Sequence, residues 1–450
     1  MSKLPLHRRF PQDFVWGVAT SSFQIEGSAQ ADGKGESIWD RFCRQPGVIA
    51  DASNGDVACD HYNRLESDLD LIASLGVNTY RFSIAWPRIQ PDGGAGSGAW
   101  NAKGLEFYER LVDGLAKRGI AAYATLNHWD LPQALQDQGG WANRDTAHRF
   151  VEYSRHVNAA LGDRCAAITT HNEPWVVAVL GHEQGVFAPG IKDRAITMQV
   201  MHHLLLSHGL TLQALRADGA KSDLGIVLNL SPQMPATAMP ADIAAARRVD
   251  GLNRRLYTDP LFKGEYPQDT LAELGADAPK VQSGDMDIIR EPMDYLGINY
   301  YSRGVCSADG SDWNAKARGL PVSEMGWEIY PEGLSDLLCL LHHDYPKLPP
   351  MFVTENGGAF PDATWADGRV ADADRLDYLQ THIAAVANAM DRGVKMGGYM
   401  VWSLMDNFEW SSGYLRRFGI VHIDYDTQER TPKASALWYR DFLKDWKQQR

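Results

Sequence analysis

Residues 351–358 read MFVTENGG. Three apolar residues lead into Thr354 and Glu355, and Asn356 with paired glycines follows. A short apolar run closed by Gly-Gly predicts a buried strand that stops at a loop. Glu355 then sits at a strand end, where a carboxylate has to be paired, hydrogen-bonded or used. Alone, such a glutamate reads as half of a structural ion pair. A second stretch changes that reading: residues 166–174, AAITTHNEP, are another β-prone run ending on a glutamate, Glu173. Pro174 disfavours the α region at Glu173, which predicts that this residue stays extended. Two glutamates at two strand ends, far apart in the chain, are what a two-carboxylate mechanism needs.

Outward from these runs, strands alternate with helices. Strands are expected in FVWGVAT (14–20), around 80–84, in IAAYATLNHWD (120–130), AAITTHNEP, LGIVLNLSP (224–232), MDYLGINYY (293–301), MFVTENGG and GGYMVWSLMDNFEW (397–410). Apolar residues at helical spacing predict helices over 60–75, 105–118, 143–161, 195–217, 241–257, 333–344, 374–390 and 434–447. The polar, glycine-rich segments 21–40 and 302–326 read as long loops. Eight strand-then-helix units with no linker between halves predict a single (β/α)8 barrel domain over 1–450. An open doubly wound sheet is the rival, but no glycine-rich phosphate turn follows an early strand. In a closed parallel barrel the C-terminal strand ends share one face. Gln24, His128, Trp129, Asn172, Glu173, Tyr301, Glu355, Trp402, Glu409 and Trp410 all fall just after strands.

Composition narrows the class. The chain has 450 residues, 44% hydrophobic and 22% charged, in the globular range. A net charge of −13 without a basic run argues against a nucleic-acid surface. No apolar run reaches the ~18 residues of a membrane span, and MSKLPLHRRF at the N-terminus has no apolar run of signal-peptide length. The five scattered cysteines form neither a disulfide framework nor a zinc motif, which points to a reduced, cytoplasmic protein. His202, His203 and His208 suggest a metal cluster, but adjacent histidines do not face one another on a helix. No H-E-x-x-H spacing accompanies them, so no metal and no cofactor is assigned.

Two carboxyls flanking a gap suit glycosidic bond cleavage, one protonated near neutral pH and one ionised. Placed on strands four and seven, they are expected on opposite sides of the ring. Asn172, His128 and Gln24 offer hydrogen bonds to sugar hydroxyls. Arg81 is a partner for a carboxylate. Trp402 and Trp410 can stack on the apolar face of a pyranose. Arg416 and Arg417 follow strand eight and read more easily as a solvated turn than as phosphate ligands.

With FVWGVATSSFQIEG, CDHYNRLESDLDLIASLGVNTYRFSIAWPRI, LNHWDLPQAL, THNEP, GINYYS, VTENG, WSLMDNFEW, RFGIVHIDY and TPKAS in this order, the sequence resembles glycoside hydrolase family 1, the retaining β-glucosidases and their relatives. The resemblance runs over nearly the whole chain. It implies a barrel, Glu173 as general acid/base and Glu355 as nucleophile. It further implies a sugar-binding set of Gln24, His128, Asn172, Glu409, Trp402 and Trp410. Tyr301 and Arg81 would position and charge-stabilise the nucleophile. Asn299, Trp129 and Phe418 would complete the wall. Trp327 would be the platform for the leaving group, with Val176 and Leu180 at its entrance. The expectation is a retaining, exo-acting β-glucosidase working on β-glucosides and short β-linked oligosaccharides, with a small-molecule β-glycoside as its partner. A β-galactosidase or β-fucosidase preference is the alternative within the family, and a non-catalytic sugar-binding barrel the alternative outside it.

Overall fold

The computed structural model describes residues 4–448, so the outermost residues of the expected 1–450 unit, 1–3 and 449–450, lie outside it. Eight parallel strands close into a barrel: β1 (Val15–Ala19), β2 (Thr79–Ser83), β3 (Ala121–Asn127), β4 (Cys165–Asn172), β5 (Asp223–Asn229), β6 (Tyr295–Asn299), β7 (Met351–Asn356) and β8 (Met396–Trp402). Each strand pairs with its neighbours in sequence, and β8 closes on β1 through Val15–Gly398 to Ala19–Trp402. The main outer helices are α1 (His61–Ser74), α2 (Ala102–Lys117), α3 (Asp145–Leu161), α4 (Arg194–Ala217), α5 (Pro240–Asp250), α6 (Pro331–Asp344), α7 (Ala373–Asp391) and α8 (Ala434–Lys447). The predicted inner stripes are the buried ones: Leu65, Leu69 and Ile72 on α1, and Tyr108, Leu111, Val112 and Leu115 on α2. Asp193 starts α4 by accepting from the Ile196 amide at 3.0 Å, satisfying one of the unpaired donors of a first helical turn.

Several expectations need correction. Placement on strands four and seven predicts the two glutamates on opposite sides of the ring, but β4 and β7 stand three places apart, and β8 is the strand facing β4. The segment 21–40 holds the short α-helix Ser22–Ile25, a 3-10 turn at Ala31–Gly33 and the start of the α-helix Ile38–Phe42, which a Ser37–Asp40 capping box opens. The segment 302–326 carries a short strand, Gly304–Cys306, paired in parallel with Gln233–Pro235. Beyond α5 the helical path continues through Gly251–Arg255 to Phe262, even across Pro260. The eighth strand ends at Trp402, and 403–410 runs as an irregular loop at the barrel mouth.

Register shifts interrupt the ladders near the same end of the barrel, between Thr169 and Asn172, between Ile298 and Asn299, and between Tyr399 and Val401. Such bulges turn a strand locally and re-aim its side chains.

Candidate active site

The strand ends surround a cavity of about 430 Å³. Its inner part is lined by His128, Trp129, Glu173, Asn299, Tyr301, Glu355, Trp402, Glu409, Trp410 and Phe418. Its outer part is lined by residues that include Trp175, Val176, Leu180, Phe187 and Trp327. Three other expected residues, Gln24, Arg81 and Asn172, are buried beside this lining and brace it through hydrogen bonds. Gln24 lies on the Ser22–Ile25 helix with its amide occupied: it accepts from Ser21 at 2.6 Å and donates to Asn407 Oδ1 at 2.9 Å and the Phe408 carbonyl at 2.8 Å. It thereby holds the loop that carries Glu409.

Glu355, near the end of β7, is held at both oxygens. Arg81 Nη1 donates to Oε1 at 2.6 Å and the Tyr301 hydroxyl to Oε2 at 2.7 Å. The Arg81–Glu355 ion pair is almost completely buried. Arg81 also donates through Nη2 to Asn172 Oδ1 at 2.6 Å, so one guanidinium joins β2, β4 and β7. Burial, followed by the nearby Glu355, pushes the Tyr301 hydroxyl well above the usual phenol range and keeps it a donor.

Glu173 follows β4 directly. Its backbone is not extended but left-handed, with φ 50°. Pro174 excludes the ordinary helical region for its predecessor, and the turn needed at the strand end is met on the other side of the map. Trp129 (φ 78°) and Trp410 (φ 48°) share this conformation, which costs a non-glycine residue on the order of 1–3 kcal/mol. Three strained residues in one lining mark a place where side-chain direction outweighs backbone comfort. Glu173 Oε1 accepts from Asn299 Nδ2 at 2.5 Å, and Asn299 Oδ1 in turn accepts from Thr354 at 2.8 Å. Burial, then the charge of Glu355, drive Glu173 well above the usual carboxylate range, against the smaller pull of Asn299 and Arg81.

Glu409 is half-buried, and its Oε2 is itself buried with no hydrogen-bond partner among the described residues. Burial and the neighbouring Glu355 push it up to about 8. His128 is held well below the usual imidazole range by burial and by Arg81, so it is neutral; Asn172 Nδ2 lies 3.2 Å from its Nε2. Trp410 packs on Trp129 at 4.4 Å between ring centroids and lies nearly parallel to His128 at 6.0 Å. Trp327 rests against Tyr301 at 5.3 Å and Phe418 at 6.2 Å, with 37% of its surface exposed.

The other titratable clusters are accounted for locally. His202 bonds Tyr266 and Asp285, His203 bonds the Trp141 carbonyl and Gln199, and His208 bonds Thr170, so the three rings point into separate surroundings. Arg417 is not part of a solvated turn: it donates to buried Asp406 at 2.7 Å. Asp362, Asp406 and His422 lie close enough for a metal, but Lys433 already fills the space between the two carboxylates, 2.8 Å from each.

Sequence reasoning missed Asn229, Ser231, Arg303, Trp313, Met325 and Glu328, all in the outer lining. Asn229 and Ser231 were within reach of the strand-end rule, since β5 ends at Asn229. The others come from a long segment whose course depends on tertiary contacts.

Comparison with known proteins agrees with this geometry. The profile described as "Glycosyl hydrolase family 1" matches residues 6–448. A β-glucosidase from Agrobacterium sp. is 48% identical over 441 residues, covering 96% of this chain and 95% of the relative. The structure of virulence factor SghA from Agrobacterium tumefaciens superimposes with a TM-score of 0.93 at 47% identity, covering 97% of this chain and 98% of the other. The family 1 β-glucosidase from Thermotoga maritima does so with a TM-score of 0.93 at 44% identity, with coverages of 97% and 98%.

Proposed function

The chain belongs to glycosyl hydrolase family 1, and on that premise we propose how its site works. The protein is a retaining β-glucosidase that removes terminal non-reducing β-D-glucosyl residues. In the proposed assignment Glu355 attacks the anomeric carbon while Glu173 gives its proton to the departing oxygen; the glycosidic C–O bond breaks and a glycosyl-enzyme ester forms. Water then attacks the same carbon. Glu173 takes the water's proton, the ester bond breaks and Glu355 is freed, so two inversions give net retention. Tyr301 and Arg81 orient the nucleophile. Glu409, His128, Asn172 and Gln24 are the proposed hydroxyl-recognising set, with Trp402, Trp410, Trp129, Asn299 and Phe418 shaping the sugar wall. Trp327 is the proposed platform for the leaving group. The observation that carries the assignment is the unequal setting of the two carboxyls. Glu355 is gripped by a guanidinium and a phenol, whereas Glu173 has one amide donor and is pushed up by burial beside Glu355.

A cytoplasmic location is part of the proposal; it is supported by five cysteines that are all free thiols. Among the described residues no helix is long and apolar enough to cross a membrane.

Glu173→Ala tests the mechanism. An aryl β-glucoside with a good leaving group is expected to load the enzyme without a proton donor, and added azide to release β-glucosyl azide. No rescue, or the α-azide, overturns the assignment.

A further inference from the structure

The outer lining of the cavity is of two chemical kinds. One is apolar, formed by Trp175, Val176, Leu180, Phe187 and Trp327. The other lies past the ends of β5 and β6 and is polar, with Asn229, Ser231 and Arg303. Arg303 is held along one edge only. Its Nε and Nη2 each donate to a different oxygen of buried Glu328, both at 2.9 Å, and its guanidinium lies over the Tyr330 ring at 4.0 Å. Trp313 Nε1 also donates to Glu328, at 3.3 Å. Nη1, by contrast, reaches only the Met234 thioether among the described residues, at 3.3 Å. A thioether is a weak acceptor, so a guanidinium lining the cavity keeps donor capacity in reserve. Also in the polar lining, Asn229 Oδ1 is buried with no hydrogen-bond partner among the described residues. Glu328 directly follows Trp327, so the ion pair also fixes the segment that presents the indole.

A leaving group that uses both kinds of lining needs one apolar face and a polar edge that both accepts and donates. A hydroxylated ring has both, and a bare phenyl ring has only the face. We propose that Arg303, held by Glu328, is a specificity-determining residue for the leaving group and selects a hydroxylated ring, such as a second pyranose, over an unsubstituted aryl group. This rests on the β-glucosidase reading above.

The test compares kcat/KM for a β-linked glucose disaccharide and for phenyl β-glucoside in the wild type, Arg303→Met and Arg303→Lys. Losing one hydrogen bond to a charged group is expected to cost Arg303→Met about tenfold or more on the disaccharide, mainly in KM. Phenyl β-glucoside makes no such bond, so its loss is expected to stay within about threefold. Arg303→Lys, which keeps a cation beside Glu328, is expected to fall between wild type and Arg303→Met, and it carries the test if the methionine variant does not fold. Equal losses on both substrates, no loss on either, or a wild type that cleaves only the phenyl glucoside overturns the role of Arg303 and leaves the glucosidase reading standing. A wild type that cleaves neither substrate overturns the glucosidase reading, and the proposal with it.

Discussion

Glu173 and Glu355 differ in what surrounds them, and that difference makes a prediction. Burial raises Glu173 first and the neighbouring anion second. Neutralising Glu355 removes only the second cause. In Glu355→Gln the pKa of Glu173 is therefore expected to fall while staying above the ordinary glutamate value of about 4.3. Carbon NMR titration of Glu173 in the two proteins reads this directly, and an unchanged pKa would show that the carboxyls are not coupled. The same variant should lose hydrolysis of aryl β-glucosides. In the wild type, rate should fall as pH rises through the raised pKa of Glu173, because the departing oxygen then finds no proton. Glu409 adds a second raised carboxyl, at about 8. Among the described lining residues the only cation is Arg303, in the outer part, since Arg417 is turned to Asp406. A sugar phosphate entering the inner cavity would find no positive partner, which favours unphosphorylated glucosides.

At the level of strands and helices, much could be read before the fold was seen. Short apolar runs and helical stripes give separate periods, and breakers such as Gly76 and Gly119 stop the helices close to where the pattern stops. Boundaries erred where polar residues continue a strand into the mouth, as in 403–410, because side chains such as Asp406 and Asn407 there bond the loop backbone instead of a ladder. The pairing of Gln233–Pro235 with Gly304–Cys306 was out of reach: three residues carry no period, and their partner lies far along the chain. So was the Arg303–Glu328 pair, which neither residue announces locally. The paired glycines after Glu355 were read as a loop signal, and their geometry is more demanding than that. A Cβ on Gly357 would run into the Trp402 carbonyl oxygen, where the ends of β7 and β8 meet. Gly357→Ala has to push those strand ends apart, at a cost of about 1–3 kcal/mol for overpacking a tight site. It is expected to lower the thermal midpoint and also kcat/KM, since Glu355 and Trp402 flank the contact. An alanine variant with wild-type melting and wild-type turnover would show that the close approach is not required.

Across the whole molecule, the barrel is locked where its two chain ends meet. Tyr439 on α8 donates to the Gly17 carbonyl of β1 at 3.1 Å, and Trp446 to the Pro11 carbonyl at 3.1 Å. Just before α8, Lys433 is fully buried between Asp362 and Asp406, at 2.8 Å from each. Arg417 pairs with Asp406, His422 with Asp362, and Arg375 with Asp372, which also accepts from Ser435. This network joins the loops after β7 and β8 to α7 and α8. Burial alone would raise Asp406, but Lys433, Arg417 and Arg375 outweigh it and hold the carboxyl below its usual range. A folded-state pKa below the unfolded one means the contribution is whole at neutral pH. It is lost as pH drops below the unfolded value of about 3.9 and through the folded one. Lys433→Met removes the cation shared by both buried carboxylates and leaves Asp406 to Arg417 and Asp362 to His422; losing one partner of a buried pair typically costs up to about 3–5 kcal/mol. A clear drop in the thermal midpoint is expected at pH 7. In acid Asp406 takes up a proton and no longer needs the lysine, so the gap between variant and wild type should narrow as pH falls below about 3.9 and on through the lowered pKa of Asp406. Melting curves of the two proteins across that range decide it: a gap of constant size would mean that Lys433 acts through packing of its aliphatic stem and not through its charge.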